Sequence, residues 1–437
     1  MILVDSALKR LSEQGKSIKI GVIGSGFMVA GLANQLRLSY PMMTIAAIAA
    51  RRPEQARNVY LHNAKAENPV YASTVKKVEE LLGSNTPVVT SDPTVLASAH
   101  GIDVVLEATG SMDFALSGIL AALKAGKPIV LMNAELDATV GPYLKFLADQ
   151  AGTKITNVDG DQPGVEMNLV RYVRSAGFKP VLCGSVKTLQ DQHRNPDTQA
   201  AFAARWKQNV EMITSFADGS KVAFEQAVVA NAAGMRVSKR GMIGLDPTNK
   251  DPTLPLRPLE DYLEWLIPHL DPSQDGLVDF VVGARPSPGV FVIGHCDDPD
   301  QAHYMGYYKM GAGPYYLFYT PYHLVHLEVP ITIARLLLFD DLAVTPLDRP
   351  RVGVVATAKR DLSPGQIVDG IGGFDTYGEA ENYSEMIGRD YLPMGLAQRC
   401  KVKRSVKKDT PLTFADVELP GEREIDAVYE AQVDHFS

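Results

Sequence analysis

Three charged residues near the middle of the sequence have the spacing of a single helix face. Asp218, Lys221 and Glu225 stand at positions i, i+3 and i+7, and residues at these intervals lie on one side of an α-helix. An ammonium group between two carboxylates can donate a proton to a reacting oxygen, and the carboxylates can instead hold a divalent cation. An exposed row of ion pairs has similar spacing. The pattern therefore leaves a catalytic and a surface interpretation open.

Other basic residues lie on either side of this segment. Lys187 closely follows the apolar stretch 180–185, which predicts a strand, and Lys187 is a second candidate catalytic lysine. Arg236, Lys239 and Arg240 form a basic cluster farther along the chain. Such a loop can bind the phosphate group of a substrate, although a solvated basic turn has the same composition.

Two histidines and an aspartate offer weaker signals. His323 and His326 stand three residues apart in PYHLVHLE, but no third metal ligand at a matching spacing accompanies them. Histidines in such a setting are more often hydrogen-bonded interior groups. Asp161, in the sequence GDQPG, is either a site residue or a helix cap. The sequence therefore leaves the metal ligands unknown.

A glycine-rich turn near the N-terminus indicates a dinucleotide. In IKIGVIGSGFMVAGLANQL an apolar strand runs into the turn, and a helix follows at once. Gly24 permits the tight turn, and Gly26 lets the backbone approach a pyrophosphate at the helix N-terminus. Val29 replaces the third glycine of the fingerprint, and Gly31 lies two residues farther on, which loosens packing but keeps the phosphate site. The residues expected at the cofactor here are Gly24, Ser25, Gly26, Phe27 and Met28.

The end of the second strand favours NADPH over NADH. Arg51 and Arg52 occupy the place where an acidic residue usually holds the ribose 2′-hydroxyl, and guanidinium groups suit a 2′-phosphate. Two solvent-facing arginines are the alternative. Further cofactor contacts are expected where later strands end, at Ala108, Thr109, Gly110, Asn133 and Glu135.

The elements that must position these residues suggest an α/β fold with three parts. Apolar strands alternate with amphipathic helices through the first part, which predicts a doubly wound parallel sheet, an N-terminal Rossmann domain over 1–160. An α+β catalytic and dimerisation domain is expected over 161–348, and a small, independent, β-rich domain over 349–437. The strands predicted in the first part are Ile18–Ile23, Thr44–Ala50, Ile102–Ala108, Pro128–Met132 and Lys154–Val158.

The central part is expected to combine helices with short strands. The helices predicted there include Ser220–Ala233 and Leu324–Phe339. Antiparallel strands at hairpin spacing could also pair with a second copy, so we expect a homodimer. The predicted strands are Leu277–Gly283, Gly289–Ile293, Tyr304–Lys309 and Tyr315–Tyr319.

Composition excludes several classes of protein. The 437 residues are 46% hydrophobic and 22% charged, the balance of an ordinary globular enzyme. A net charge of −8 argues against a nucleic-acid partner, and no apolar run is long enough to cross a membrane. Three cysteines without metal or redox spacing predict reduced thiols. We therefore expect a cytoplasmic protein.

The order of these motifs resembles homoserine dehydrogenase. The resemblance rests on the GxG turn, EATG after a strand, MNAE near the place of a catalytic-lysine loop, and GDQPG, TSFADGSK, RGMIG and YTPYHLVHLE in the middle part. The segments RDLSPGQIV and VKKDTPLTFADVEL resemble an SAF domain, a small β-rich module. The resemblance to predicted homoserine dehydrogenases with this tail covers nearly the whole chain.

Within that group the chain is similar to the 1-deoxy-D-xylulose 5-phosphate reductoisomerase-like enzymes in overall length and general residue pattern, and not in a motif specific to them. The resemblance implies rearrangement of a small phosphorylated sugar, followed by NADPH reduction to 2-C-methyl-D-erythritol 4-phosphate in non-mevalonate isoprenoid biosynthesis, with Mg²⁺ or Mn²⁺ as a possible second cofactor. Homoserine dehydrogenase has a lysine where this chain has Ala134-Glu135, which argues against homoserine oxidation. A related oxidoreductase acting on another small polar substrate and a non-catalytic NADP-binding sensor are the alternatives.

Overall fold

The first part of the chain is a Rossmann-like unit built on one parallel sheet. The structure is a computed structural model that describes residues 2–251 and 253–437; Met1 and Pro252 lie outside the described residues. Seven parallel strands lie in the order β3-β4-β2-β1-β5-β6-β7. The strands are β1 (Ile18–Ile23), β2 (Met43–Ala49), β3 (Val70–Tyr71), β4 (Val88–Thr90), β5 (Val104–Glu107), β6 (Ile129–Leu131) and β7 (Ile155–Asn157).

Helices cover both faces of this sheet, and the strands are apolar because both of their faces are buried. The predicted doubly wound fold is therefore confirmed. The strand order reverses at β1, which pairs with β2 on one side and β5 on the other. Ligands of such sheets bind outside the carboxyl ends of the strands at this reversal. The helices are α1 (Ile2–Glu13), α2 (Phe27–Ser39), α3 (Pro53–Asn58), α4 (Val75–Gly83), α5 (Pro93–Ser98), α6 (Met112–Lys124) and α7 (Ala134–Gln150).

The middle part contains a mixed four-stranded sheet in the order β10-β8-β12-β13. β10 is parallel to β8, whereas β12 is antiparallel to both β8 and β13. Among the described residues, β13 has a neighbour on one side only. The strands are β8 (Lys179–Lys187), β9 (Arg257–Pro258), β10 (Leu277–Val282), β11 (Ala284–Arg285), β12 (Gly289–His295) and β13 (Tyr315–Thr320).

One predicted strand of this part is wrong. Tyr304–Lys309 was expected to be a strand, but its first residues belong to the helix α13 (Pro299–Tyr307). Asp298 caps this helix by accepting a hydrogen bond from the Gln301 N–H at 2.7 Å, and Pro299 occupies its first turn. These start signals prevail over the β-propensity of the tyrosines. The other helices are α8 (Gln162–Ser175), α9 (Pro196–Trp206), α10 (Val210–Ala217), α11 (Ser220–Ala233), α12 (Glu260–Leu266) and α14 (Val325–Phe339).

The C-terminal part is rich in short strands and packs against both preceding parts. Its strands β14 and β15 lie against α11, and its last helix lies against α6 and α7. Gln432 on that helix is buried and donates a hydrogen bond to the Thr139 carbonyl at 3.0 Å. The elements are β14 (Val352–Ala358), β15 (Thr376–Asn382), α15 (Tyr383–Gly388), β16 (Lys401–Val402), β17 (Val417–Glu418) and α16 (Glu424–Phe436).

This packing does not support the expectation of an independent C-terminal module. Buried apolar residues of β14 and α16 belong to the same hydrophobic core as those of α7 and α11. The domain boundary at residue 349 and the SAF resemblance stay predictions. Within residues 2–251 and 253–437, no helix combines the length and apolarity needed to cross a membrane.

Candidate active site

The glycine turn after β1 is narrow on one side and open on the other. Gly24 has a φ of +120°, and a Cβ atom there would lie 2.5 Å from the Ala108 carbonyl oxygen after β5. Only glycine fits this close approach. A Cβ atom on Gly26, by contrast, would meet no described atom within 4 Å. Because Gly26 is also the N-cap of α2, the open space lies where a pyrophosphate binds.

Gly31, two residues after the usual third glycine position, contacts a different part of the fold. A Cβ atom on Gly31 would lie 2.6 Å from the imidazole of His326 on α14. Val29, at the usual third position, is buried at 1% exposure. Gly31 therefore permits close packing between α2 and α14, and the half-buried His326 packs against it.

Two arginines follow β2 at the same edge of the sheet. Arg51 and Arg52 are both exposed, and Arg52 is the N-cap of α3. Neither guanidinium forms an ion pair within the described part of the chain. Both remain available for an anionic group, as expected for a 2′-phosphate.

The ends of β5 and β6 are joined by a polar network. Asn133 caps α7 by accepting the Leu136 N–H at 3.0 Å, and its Nδ2 donates to the Thr109 carbonyl at 3.2 Å. Glu107 is fully buried and accepts the Thr109 N–H at 2.7 Å. Burial raises the pKa of Glu107 to about 7, against hydrogen bonds that lower it. The network fixes the backbone beside the glycine turn.

The helix that carries two of the predicted catalytic residues is buried on all sides. Every residue of α11 is buried, including Lys221 at 8% and Glu225 at 4% exposure. Charged groups stay in such a place only when other groups compensate them. The interpretation of this segment as a surface row of ion pairs is therefore wrong.

Lys221 connects α11 to the edge of the Rossmann sheet. Its Nζ atom donates to both carboxylate oxygens of Glu135, at 3.0 and 3.2 Å. Burial lowers the pKa of Lys221, but Glu135, Asp161 and Glu225 raise it by a larger amount. The lysine therefore stays protonated at neutral pH. Glu135, which was expected to contact the cofactor, lies in the first turn of α7, two residues after Asn133, and is the ion-pair partner of Lys221.

Lys187, at the end of β8, forms the second pair of the site. Its Nζ atom donates to Gln162 Oε1 at 2.5 Å and to Glu225 Oε2 at 3.3 Å. Gln162 Oε1 also accepts from the Ser185 hydroxyl at 2.8 Å. Burial raises the pKa of Glu225, and the two lysines oppose this shift. Helical spacing thus found Lys221 and Glu225, and the place after a predicted strand found Lys187. Sequence reasoning missed Gln162, whose only signal was its place after the cap residue in GDQPG.

A buried carboxyl group lies behind this cluster. Glu166 on α8 is fully buried, and both of its oxygens accept hydrogen bonds from Gln226 Nε2, at 3.0 and 2.9 Å. Burial raises the pKa of Glu166 to about 8 against the hydrogen bond, and Glu225 raises it further. No motif in the sequence indicated this residue.

Asp218 does not share the face of Lys221 and Glu225. It ends α10, and Gly219, with a φ of +90°, separates it from α11. Its carboxylate accepts a hydrogen bond from Lys359 Nζ at 2.8 Å, and both side chains are buried. Asp218 is thus a structural partner of the C-terminal part, and the expected three-residue row is corrected to two.

Lys359 and a serine hold the first turn of α11 against the C-terminal part. Besides Asp218, Lys359 Nζ donates to the carbonyls of Arg194 and Gly373, each at 2.7 Å. The Ser220 hydroxyl accepts the Gly378 N–H of β15 at 2.8 Å. We call these contacts the α11 clamp. The clamp fixes the end of the helix from which Lys221 projects.

The expected phosphate loop is not assembled as one site. Arg236 donates to Gln274 at 2.6 Å, whereas Arg240 pairs with Glu379 of β15 at 3.2 Å. Lys239 is exposed and lies near Asp279. Since the two guanidinium groups bind different partners, the three residues do not converge on one anion.

His323 lies beside the lysine cluster. Its Nδ1 atom is buried and has no hydrogen-bond partner among the described residues. Burial lowers its pKa, Lys187 and Lys221 lower it further, and Asp161 opposes them. The imidazole is therefore neutral at pH 7 and available to a ligand, whereas His326 packs against Gly31.

The described residues do not fit a divalent cation. Within residues 2–251 and 253–437, no three His, Cys, Asp or Glu side chains are placed to hold a metal ion. Glu135 and Glu225 are each paired with a lysine, and Asp161 caps α8. The expected Mg²⁺ or Mn²⁺ therefore has no ligand set here.

A cavity of about 510 Å³ lies elsewhere, where α8 and α11 end. Two basic residues line it, but Arg174 donates to the Ala233 carbonyl at 2.9 Å and Lys179 to the Gln274 carbonyl at 3.0 Å. The cavity does not include the glycine turn or the lysine cluster.

Part of the chain matches a known family model. Residues 160–329 match the catalytic domain of oxidoreductase DRL. A 1-deoxy-D-xylulose 5-phosphate reductoisomerase of Pelodictyon phaeoclathratiforme is 27% identical over 170 residues, which cover 38% of this chain and 38% of that relative. The matched family region includes Gln162, Lys187, Lys221, Glu225 and His323.

Two solved structures show more distant likenesses. The 1-deoxy-D-xylulose 5-phosphate reductoisomerase of Zymomonas mobilis in complex with NADPH is 15% identical, with a TM-score of 0.33 over 48% of this chain and 57% of that chain. A probable dehydrogenase from Thermotoga maritima is 12% identical, with a TM-score of 0.35 over 63% and 72%. At such scores these likenesses carry no argument about activity. The Rossmann-like sheet and the family match together support an NAD(P)-dependent oxidoreductase.

Proposed function

We propose that the protein is an NADPH-dependent reductoisomerase that converts 1-deoxy-D-xylulose 5-phosphate to 2-C-methyl-D-erythritol 4-phosphate. The observation that carries the proposal is the buried lysine cluster at the carboxyl edge of the Rossmann sheet. Lys221 pairs there with Glu135, two residues after the Asn133 network. A relative of that activity, matched over 38% of its length, supports the choice of substrate.

The residues of the cluster divide the proton transfers between them. Rearrangement of a hydroxy ketone begins with loss of a hydroxyl proton, and Glu225 can accept that proton because burial raises the pKa of its carboxyl group. Glu225 returns the proton to the oxygen that becomes the new hydroxyl group once the carbon skeleton has rearranged, so the rearrangement consumes no proton. The resulting aldehyde is reduced by the hydride that the bound nicotinamide supplies. The aldehyde oxygen takes up a proton from Lys221 Nζ, and water at the partly accessible lysine replaces it.

The edge of the sheet supports NADPH as the reductant. Gly26 leaves space for a pyrophosphate at the start of α2, and Arg51 and Arg52 are exposed where the 2′-phosphate of the cofactor would bind. Ala108, whose carbonyl approaches Gly24, precedes Thr109, and the Thr109 carbonyl accepts a hydrogen bond from Asn133, two residues before Glu135. The reducing and proton-donating groups thus share one edge.

The test is the absorbance of NADPH with two substrates in separate assays. Oxidation with 1-deoxy-D-xylulose 5-phosphate, and formation of the branched tetrol phosphate detected by mass spectrometry, are expected. Oxidation with aspartate semialdehyde alone would instead favour a homoserine dehydrogenase-like reductase. NADPH binding without oxidation of any carbonyl substrate would favour the non-catalytic sensor.

A further inference from the structure

We propose that Lys187 and Lys221 bind two neighbouring oxygens of an α-hydroxy-carbonyl substrate, and that this ammonium pair takes the place of a divalent cation. The inference rests on the proposed function, since it names the groups that polarise the carbonyl in that reaction. It concerns a task that a metal ion performs in many enzymes, which is to stabilise negative charge developing on oxygen.

The hydrogen-bond count leaves each lysine one free donor. A lysine ammonium has three N–H groups. Lys221 directs two contacts to the oxygens of Glu135, and Lys187 directs two to Gln162 and Glu225. One N–H of each ammonium therefore remains for a ligand oxygen.

The ammonium groups of Lys187 and Lys221 both lie near Glu225 and His323. Lys187 Nζ donates to Glu225 Oε2 at 3.3 Å, and Glu225 lies one helical turn after Lys221 on α11. Both ammonium groups also lower the pKa of His323. His323 Nδ1 is buried and has no partner among the described residues. A ligand between the lysines would therefore also lie within reach of a neutral imidazole, which supplies a further polar contact.

The ion pairs of the cluster oppose entry of a metal ion. Lys187 is paired with Glu225 and Lys221 with Glu135, so a divalent cation that bound either carboxylate would separate a buried ammonium group from its partner. An uncompensated charge in such a place is strongly disfavoured. Magnesium also needs about six oxygen ligands in near-octahedral arrangement, whereas Gln162 Oε1 already accepts two hydrogen bonds.

The reduction step balances without a metal. The hydride forms the new C–H bond as the carbonyl π electrons move to oxygen. The oxygen takes one proton from Lys221, and the free N–H of Lys187 stabilises the negative charge while it develops. Water returns the proton to Lys221, so no further co-reactant is needed.

The first test measures the metal directly. Protein stripped with EDTA is mixed with NADPH, and binding of Mn²⁺ is followed by the electron paramagnetic resonance signal of the free ion. No stoichiometric binding is expected. One Mn²⁺ bound per chain would overturn the inference, whether or not the protein turns over any substrate.

The second test measures turnover in EDTA and in excess Mg²⁺ or Mn²⁺. Rates within twofold of each other are expected, and a loss of tenfold or more in EDTA that either metal restores would overturn the inference. Absence of turnover in all conditions would count against the proposed function, while the Mn²⁺ measurement still decides the metal question.

Lys187→Met is expected to lower kcat by about 10²-fold, the lower end of general acid–base effects, and rescue of that variant by Mg²⁺ would again contradict the proposal. Lys77→Met, which removes an exposed pair with Glu80, is the matched control.

Discussion

Lys221 is the side chain on which the proposed chemistry depends most directly. We expect Lys221→Met to lower kcat by roughly 10²–10⁴, the usual scale for loss of general acid–base help. NADPH affinity should change little, because the glycine turn and Arg51 lie outside its contacts. Steady-state rates and a cofactor titration measure the two effects.

The control for this change must keep the buried charges balanced. Lys221→Met leaves Glu135 without its partner, and an unpaired buried carboxylate is destabilising. The double variant Lys221→Met/Glu135→Gln removes both charges and should fold while remaining slow. Near-wild-type turnover in a folded variant of either kind would contradict the assigned role.

Arg51 and Arg52 give a prediction about cofactor choice. Changing both to alanine should weaken NADPH binding by several kcal/mol at most, since each charge-assisted hydrogen bond contributes about 1.5–3 kcal/mol. NADH, which lacks the 2′-phosphate, should bind almost as before. Fluorescence titration with both cofactors separates the effects, and an equal loss for the two would refute the assignment.

Glu166 gives a prediction about pH. Burial raises its pKa to about 8 from an ordinary value near 4.5. Between these values the folded protein retains a proton that the unfolded chain has released, so stability must fall as pH rises, by up to about 1.4 kcal/mol per pH unit. Above about pH 8 this contribution no longer changes.

The variant Glu166→Gln should remove that contribution and flatten the dependence of unfolding free energy between pH 5 and 8. Some slope should persist, because burial also raises the pKa of Glu107 and Asp137 to about 7. Exposed Glu67→Gln is the matched control. Denaturant unfolding at several pH values measures this, and an unchanged slope for Glu166→Gln would exclude the buried proton.

The sequence predicted the candidate proton-transfer residues better than the residues that form hydrogen bonds with them. Lys221 and Glu225 follow from helical spacing, and Lys187 follows from its place after a strand. The prediction that Asp218 shares their helix face was wrong because Asp218 caps the end of α10 and Gly219 caps the start of α11. Spacing alone does not reveal such a boundary. Gln162 and Glu166 were missed because their neighbours, Lys187 and Gln226, lie far away in the chain.

At the scale of elements, α16 gives a prediction about the C-terminal part. Ile425 is buried in the core that α16 shares with α7, whereas Glu430 on the same helix is exposed. Ile425→Ala should lower the unfolding free energy by about 2–5 kcal/mol, and Glu430→Ala by less than about 0.5 kcal/mol. Denaturant melts compare them, and equal small effects would show that the C-terminal part is independent of the core.

The Rossmann strands were largely predictable because long apolar runs alternate with helices. β3 and β4, of two and three residues, were not predicted, although β6 and β7, with three residues each, were. The C-terminal part was expected to be β-rich from its motifs, but its attachment to α11 depends on Lys359 and Gly378, which no local pattern links to that helix.

At the scale of the whole molecule, the free edge of β13 suggests a second copy. An unpaired edge strand can pair with another chain. Tyr319 on β13 is an exposed aromatic side chain, and so are Tyr304, Tyr307 and Tyr308 in and directly after α13. We predict a homodimer through this surface. Tyr319→Lys should yield monomers in light scattering, and Tyr71→Lys, on the exposed edge strand β3, should not. A wild-type monomer at micromolar concentration would refute the prediction.

The α11 clamp has a consequence for how the protein is made. Lys359 follows Asp218 by 141 residues, and Gly378 follows Ser220 by 158. While the ribosome is still translating the C-terminal part, the emerging chain already contains the glycine turn and both lysines of the cluster, but the contacts of Lys359 and Gly378 with the start of α11 cannot yet form. A chain released early by a stalled ribosome is therefore expected to have a nucleotide fold with a less ordered lysine cluster, and it is not expected to oxidise NADPH.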